Sequence, residues 1–471
     1  MTNTKYNPDE PIVAIATALA PSALGIVRVS GKDCVKLISA IFSRPNQLLK
    51  AEGNTIVYGW ICDGNEKIDE VLISVFRAPK SFTGEEMCEI NCHGGVAVVK
   101  AVYETLLKNG FRPAESGEFT FRAYINGKSD LTKAEAVREI IDSKTNASRS
   151  HAAGRLTGSL FKEIDFVKTL LTDTLAAIEV DIEYPEDEET IADSFDKADL
   201  EKAKSNLFEL ASSWKSEKLY QDGAKVVLAG KTNAGKSSLF NVLLKEDRSI
   251  VSDIEGTTRD WIESWVSFDG IPARLFDTAG LRKTDDLIEA KGVELTKDLV
   301  KDADLILYLV DSTKGLLDED WIFIKENYGI PLIVVFNKAD LAQDEKRCNI
   351  ESIKNKLKAE NSGEKTYFVR VSAKKGNGIF ELTELVKNVL LGDSTQKSDS
   401  AGLGSTRQRD CVLNAYESVT HALKIADEGS YALDAVVQDL EDALENLGEV
   451  TGEVTPDDVL GSIFSHFCVG K

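Results

Sequence analysis

Gly230, Gly235, Lys236 and Ser237 stand at the spacing G-x-x-x-x-G-K-[ST], with Lys231-Thr232-Asn233-Ala234 between the glycines. Glycines allow the backbone to wrap its N–H groups around an anion. The lysine ammonium then reaches the outer phosphates, and the serine hydroxyl is an oxygen ligand suited to Mg²⁺. The apolar run Val226-Val227-Leu228-Ala229 precedes this stretch, and the helix-like Ser238-Leu239-Phe240-Asn241-Val242-Leu243-Leu244 follows it. Strand, loop and helix in that order aim a helix N-terminus, with its free donors and partial positive charge, at the phosphates.

Four further elements follow downstream. Gly256-Thr257-Thr258-Arg259-Asp260 offers a threonine hydroxyl to complete Mg²⁺ coordination. The strand-like Arg274-Leu275-Phe276 runs into Asp277-Thr278-Ala279-Gly280, which places a carboxylate by the metal shell and a glycine N–H near a γ-phosphate. The apolar run Leu332–Phe336 delivers Asn337-Lys338-Ala339-Asp340. A carboxylate there accepts two hydrogen bonds from the N1–H and exocyclic amine of guanine, whereas adenine lacks that donor pair. Phe368-Val369-Arg370-Val371 leads to Ser372-Ala373-Lys374, whose backbone can meet the guanine carbonyl. Five elements in this order describe a guanine-nucleotide site.

The rest of the chain must position that site. Its 471 residues exceed one compact core and suggest about three domains. The net charge of −22 argues against a protein that holds nucleic acid by bulk charge, so any such contact is local or shared with a partner. Seven cysteines without a paired framework, and no apolar span of membrane length or leader-like start, lead to the expectation of a cytoplasmic protein. Short apolar runs (Ile12–Ala16, Gly25–Val29, Val71–Phe76) and a helical pattern from Val96 to Leu107 predict a small N-terminal α+β domain. Cys88, Cys92 and His93 invite a zinc reading but lack a fourth ligand, so buried thiols are preferred.

From Leu131 the period becomes helical. Leu156, Leu160, Ile164, Val167, Leu171, Leu175 and Ile178 predict one long amphipathic helix ending near Pro185. Ten carboxylates against the single Lys197 between Glu179 and Asp199 read as a solvated segment, and Ser394 to Ser405 as a linker. Helical period returns with Leu433, Val437, Leu440, Leu444 and Leu447. The expected fold is therefore multidomain, α/β and α+β. A small N-terminal domain (1–125) precedes a discontinuous helical domain (126–222 and 392–471), which an inserted Ras-like P-loop domain (223–391) interrupts.

The five nucleotide elements resemble those of the translation-factor class of G proteins. Further stretches narrow the likeness: Ala14-Ile15-Ala16-Thr17 with Gly25 to Gly31, Ser81-Phe82-Thr83-Gly84-Glu85, Gly117 to Ala123, Asn126-Gly127-Lys128 and Cys468-Val469-Gly470-Lys471. With these, the whole chain resembles the MnmE (TrmE) family of tRNA-modifying GTPases. The resemblance implies a homodimer through the N-terminal domain, which binds formyl-tetrahydrofolate, and a flavin-dependent (FAD) partner, MnmG, in a heterotetramer. It implies that the pair places an aminomethyl or carboxymethylaminomethyl group on C5 of the wobble uridine of certain tRNAs, with no role for a membrane.

Residue by residue, the resemblance implies folate contacts at Arg28, Glu85, Lys128 and Lys471, with a thiol role open for Cys468. Cys468 does not sit in a prenylation box, since Gly470 and Lys471 do not fit that signal. For GTP it implies Asn233, Ala234, Gly235, Lys236, Ser237, Ser238, Ser252, Asp253, Ile254, Glu255, Gly256, Thr257, Thr258, Asp277, Thr278, Ala279, Gly280, Asn337, Lys338, Asp340, Ser372, Ala373 and Lys374. Mg²⁺ falls to Ser237 and Thr258, and K⁺ to Asn233, Ser252, Ile254 and Thr257. Leu281 stands where many G proteins carry the water-orienting Gln, and the resemblance shifts that task to Glu289 as the catalytic residue. K⁺ takes the charge-neutralising task of an arginine finger. Thr232 and Ser252 depart from the family's usual Pro and Thr. The competing class is a non-modifying GTP switch such as a ribosome-assembly factor, against which the folate-pocket residues and the Cys-Val-Gly-Lys tail speak.

Overall fold

A computed structural model of the chain describes residues 9–183, 197–246, 263–277, 299–327, 329–341, 350–359, 365–392, 402–428 and 433–471. The chain divides into two compact units, one formed by residues 1–138, 156–207 and 410–471, the other by 139–155 and 208–409.

The first unit opens with β1 (Ile12–Ile15), β2 (Leu24–Ser30), α1 (Cys34–Ser39), α2 (Pro45–Lys50), β3 (Thr55–Asp63), β4 (Glu66–Phe76), β5 (Met87–His93), α3 (Val96–Lys108), β6 (Arg112–Pro113) and α4 (Glu118–Ile125). The strands form a sheet in the order β3-β4-β5-β2-β1-β6, antiparallel except for the β1–β6 pair. Strand side chains alternate between faces. Val27, Val29, Ile73, Val75, Cys88, Ile90 and Cys92 therefore point into one core with α1 and α3, while Arg28 falls on the opposite face. The predicted strands and the Val96 helix are present, while β3, β5 and β6 were not among the predicted runs. Cys88 and Cys92 are buried in that core, and burial pushes the Cys92 thiol up to about 11. His93 points the other way, its side chain 68 % exposed and bonded to Asp69, so the three do not converge on a metal.

Helices α5 (Leu131–Asp142), α6 (Asn146–Leu156), α7 (Ser159–Glu183) and α8 (Lys197–Asp222) follow. The predicted long helix starts later than its stripe suggested. Gly158 adopts φ +92°, which breaks the helix, and Leu156 belongs to α6, where it is 37 % exposed. From Leu160 to Ile178 the stripe is buried as expected, with Leu175 partly so. Most of the carboxylate-rich segment around Pro185 lies outside the described residues.

In the second unit β7 (Ala224–Gly230), α9 (Lys236–Glu246), β8 (Glu263–Phe268), β9 (Ile271–Asp277), β10 (Leu305–Asp311), α10 (Asp318–Glu326), β11 (Leu332–Asn337), α11 (Ile350–Ala359), β12 (Thr366–Arg370) and α12 (Ile379–Leu391) build an α/β layer. The sheet order is β12-β11-β10-β7-β9-β8, and only the β8–β9 hairpin is antiparallel. β10 and β11 are apolar on both faces because helices cover both sides of a parallel sheet. β8 and β10 supply two strands that the motif-bearing runs alone did not announce.

The chain ends in α13 (Thr406–Glu428), α14 (Leu433–Thr451) and α15 (Asp457–Ser465). The buried face of α14 is Val436, Leu440, Ala443, Leu447 and Val450, rotated from the predicted stripe so that Val437 and Leu444 sit at its margin. Ala443 and Val436 do not enter a leucine-counting pattern, yet both are fully buried. The end of the predicted linker is likewise not solvated. Gly402, Leu403 and Gly404 are buried, with Gly402 O accepting from Arg155, Leu403 N–H donating to Ser213 Oγ and Gly404 N–H to Gln408 Oε1.

Candidate functional site

Loops at the carboxyl ends of parallel strands collect the nucleotide elements of the second unit, the place where open α/β sheets carry ligands. Gly230 closes β7 at φ +133°, where a Cβ would stand 2.4 Å from Leu309 O on β10. Gly235 has φ +98°, and a Cβ there would approach Asn337 Nδ2 to 2.1 Å. Both positions admit only glycine. Lys236 is buried and its ammonium donates to Gly230 O (2.7 Å) and Lys231 O (3.0 Å), so the charge is held over the loop. Ser237 Oγ lies 3.5 Å from Asp277 Oδ2, bringing together two hard oxygen donors of the kind Mg²⁺ takes.

Asn337 ties the site together. Its Nδ2 donates to Ala234 O in the loop (2.9 Å), and its Oδ1 accepts from Ala373 N–H (3.0 Å). One buried amide thereby joins three of the sequence elements. Asp340 Oδ1 accepts from Ser372 Oγ at 2.7 Å, and Lys375 stands 3.8 Å from Oδ2. The Ser372 hydrogen bond first, then a backbone N–H and nearby lysines, hold the Asp340 carboxyl below its ordinary range against a smaller opposing effect of burial. Asp340 is therefore anionic, as an acceptor of two guanine donors must be. Lys374 is exposed. Asn233 takes φ +66°, a conformation Asn tolerates better than most residues. Ser252, Asp253, Ile254, Glu255, Gly256, Thr257, Thr258, Thr278, Ala279, Gly280 and Glu289 lie outside the described residues.

One functional candidate escaped the sequence reading. Asp311, at the end of β10, accepts from Lys338 Nζ at 2.6 Å. The available signal was its place after the apolar run Leu305–Val310, matching that of Asp277 after β9 and Asn337 after β11.

In the first unit Arg28 sits opposite Glu89 in the β2–β5 register and donates to its Oε1 from Nε (3.0 Å) and Nη2 (2.7 Å). Its Nη1 donates to Gly470 O at 3.0 Å, and the guanidinium lies over the rings of Phe82 and Phe119. Arg28 thus pairs with Glu89 and holds the Cys468–Lys471 stretch at Gly470. Glu85 Oε2 accepts from Ser30 Oγ (2.8 Å) and Arg122 Nη1 (3.0 Å). Arg122 is fully buried and also donates to Glu118 and to Glu10 O. Asn126 Nδ2 donates to Thr83 O, and the Lys128 stem lies against Gly84 beside Glu85. Ser116 bridges Val469, and Gly470 packs by Ile15 O. Arg28, Glu85, Lys128 and the Gly470 backbone are accordingly gathered on the sheet face away from the core, with Lys471 next in the chain. Cys468 is exposed. Glu89, Ser30 and Arg122 belong to this cluster and were not foreseen, because cross-strand partners are set by register.

No helix among the described residues is long and apolar enough to cross a membrane. Residues 131–468 match the family model of the MnmE helical domain, and residues 11–128 that of the GTP-binding protein TrmE N-terminus. The tRNA modification GTPase MnmE of Treponema denticola is 53% identical over 99% of both chains. Its counterparts in Borrelia recurrentis and Clostridioides difficile are 41% and 40% identical, over 99% and 98% of this chain and 99% of each relative. Among solved structures, an Aquifex aeolicus Era variant bound to GDP·AlF4⁻ is 27% identical, covering 41% of this chain and 66% of that one with a TM-score of 0.27. Matched by both family models and aligned over nearly its whole length with these relatives, the chain belongs to the MnmE (TrmE) family of tRNA modification GTPases.

Proposed function

We propose that this chain hydrolyses GTP in a K⁺-dependent reaction and couples it to modification of the wobble uridine of tRNA at C5. In this reading formyl-tetrahydrofolate supplies the one-carbon unit, and a flavin-dependent MnmG-type partner works with a homodimer of this chain. The observation that carries the GTP half is Asn337, which links the phosphate loop at Ala234 to the base-reading loop at Ala373. That bridge lets one nucleotide be held at both ends. Ser237 and Thr258 would hold Mg²⁺, and Asn233, Ser252, Ile254 and Thr257 would hold K⁺; the cations supply positive charge against the phosphates. Lys236 binds the outer phosphates, Asp340 reads guanine, and Glu289 orients the attacking water.

The modification half is supported by the gathering of Arg28, Glu85, Lys128 and the Cys468–Lys471 stretch on one sheet face. A cation and a carboxylate suit a ligand with a glutamate tail and a pterin edge. Residues 1–125 form the folate and dimerisation domain in this reading, 126–222 and 392–471 the helical domain, and 223–391 the GTPase domain. The test is mass spectrometry of tRNA nucleosides from cells lacking the protein, with turnover of the pure chain in matched K⁺ and Na⁺ buffers. Loss of the C5-modified wobble uridine and faster turnover in K⁺ are expected. Unchanged nucleosides would favour the GTP switch, and equal rates would remove K⁺ from the mechanism.

A further inference from the structure

We propose that Asp311 is a specificity-determining positioning residue of the guanine site: it draws the Lys338 ammonium away from Asp340 and lays the lysine stem across the strand ends as a platform for the base. The β10–β11 register sets Asp311 directly opposite Asn337, so Asp311 and Lys338 are neighbours at the carboxyl edge of the sheet. Asp311 is a fixed acceptor. Its Oδ1 takes Thr313 N–H (3.0 Å) and Thr313 Oγ1 (2.7 Å), while Oδ2 takes Lys338 Nζ at 2.6 Å. Its side chain is 13% exposed and that of Lys338 32%. Burial works against the charge, but Lys338 and the Thr313 donors outweigh it and hold the Asp311 carboxyl below its usual range.

Lys338 is constrained at both ends. Its backbone has φ +62°, a conformation a lysine adopts only where its surroundings impose it, and flanking bonds from Ser312 N–H to Asn337 O (2.9 Å) and Ala339 N–H to Val371 O (3.1 Å) hold that segment. With Nζ bound to Asp311, the four methylenes cannot extend into solvent and instead present carbon along the strand ends. A purine ring gains most from such an apolar face. The alternative partner for Lys338 is the carboxylate of Asp340, two residues on, which accepts from the Ser372 hydroxyl at 2.7 Å and has the Lys375 ammonium only as near as 3.8 Å. An ammonium on Asp340 would occupy the oxygens that guanine needs, so Asp311 protects the reader by competing for the lysine.

This inference rests on Asp340 being the guanine reader, and the wild-type chain tests that part separately: if it failed to prefer GTP over XTP and ATP, the guanine site itself would be misplaced. Asp311→Ala, Asp311→Asn, Lys338→Met and the double variant Asp311→Ala/Lys338→Met are compared in the full chain by titration with GDP, GTP and ITP, which lacks the 2-amino group, and by turnover. Asp311→Ala is expected to weaken GDP and GTP equally by about ten-fold, the scale of one charge-assisted hydrogen bond. The preference for GTP over ITP should shrink, and turnover at saturating GTP should stay within about two-fold. In the Lys338→Met background the further change Asp311→Ala should have no effect. Asp311→Asn, which keeps the Thr313 bonds, should show the same losses if Asp311→Ala does not fold. Undiminished GTP affinity, or a loss by Asp311→Ala that persists in full without the lysine, would overturn the proposal.

Discussion

At the scale of single residues, the proposed function gives Asp340 the reading of the base and Glu289 the orienting of water. Asp340 accepts from Ser372 and is held ionised by that bond. Asp340→Asn replaces one acceptor oxygen with a donor, which repels the guanine donors and suits the xanthine oxygen. Competition binding should show a fall in GTP affinity and a rise in XTP affinity; an unchanged preference would place the base elsewhere. In the proposed mechanism Glu289 orients the attacking water, a task separate from holding the phosphates or the base. Glu289→Ala should lower turnover by about 10²-fold or more while leaving GTP affinity nearly intact, the pattern for loss of a water-orienting base. Parallel losses in equilibrium binding and single-turnover rate would make it structural.

At the scale of elements, the phosphate loop works because β7, β10 and β11 bring three backbones within contact distance. Gly235 faces Asn337 so closely that a methyl group would stand 2.1 Å from Nδ2, and its φ of +98° strains any other residue. Gly235→Ala should therefore displace Asn337, break its bonds to Ala234 and Ala373, and cost about 1–3 kcal/mol for the buried groups left unpaired. Loss of GDP binding with a lower Tm is expected, and a variant that binds GDP normally would show that the loop is more adaptable than its spacing implies. In the first unit the deciding element is the antiparallel sheet. Its register, with Arg28 opposite Glu89, aims the guanidinium at Gly470 O and the tail.

Across the whole molecule, each unit holds a buried ionic cluster. In the second, Glu217 accepts from His151 Nδ1 (2.8 Å) and Arg155 Nη1 (2.6 Å), and Arg155 also pairs with Glu139. In the first, Glu118 is held by Arg112 and Arg122. Burial alone would raise both carboxyls. For Glu217 the His151 and Arg155 contacts, and for Glu118 Arg112, the Glu115 N–H and Arg122, outweigh it and lower them. Since the folded carboxyls titrate below their unfolded values of about 4.3, their contribution is complete above that pH. It is lost as pH falls through the folded values. Thermal melts followed from neutral pH downward should show Tm falling on the acid side, with a flatter acid limb in Glu217→Gln. Glu217→Ala, which leaves Arg155 buried with less compensation, should cost about 3–5 kcal/mol at neutral pH. An acid limb identical to wild type would remove Glu217 from the linkage.

Spacing made legible the strand-end loops that the structure brings together. Gly230 to Ser237, Asp277, Asn337 to Asp340 and Ser372 to Lys374 act through short loops at strand ends, and a loop of fixed length after an apolar strand carries its geometry in its own residues. Three strands of the N-terminal sheet, β1, β2 and β4, were legible for the same reason, as apolar runs and turn residues are local. The pairings of Arg28 with Glu89, Glu85 with Arg122 and Lys338 with Asp311 were not, because strand order and register join residues far apart in the chain. Helix faces lay between these cases. The period located α7 and α14, but the buried face of α14 includes Val436 and Ala443, which a leucine pattern omits, and Gly158 divided what the leucines alone would join. Sequence by itself determined which chemical groups are present and the order of the elements that carry them. The tertiary structure decided which carboxylate each arginine or lysine meets, since that choice is made by backbones packed side by side.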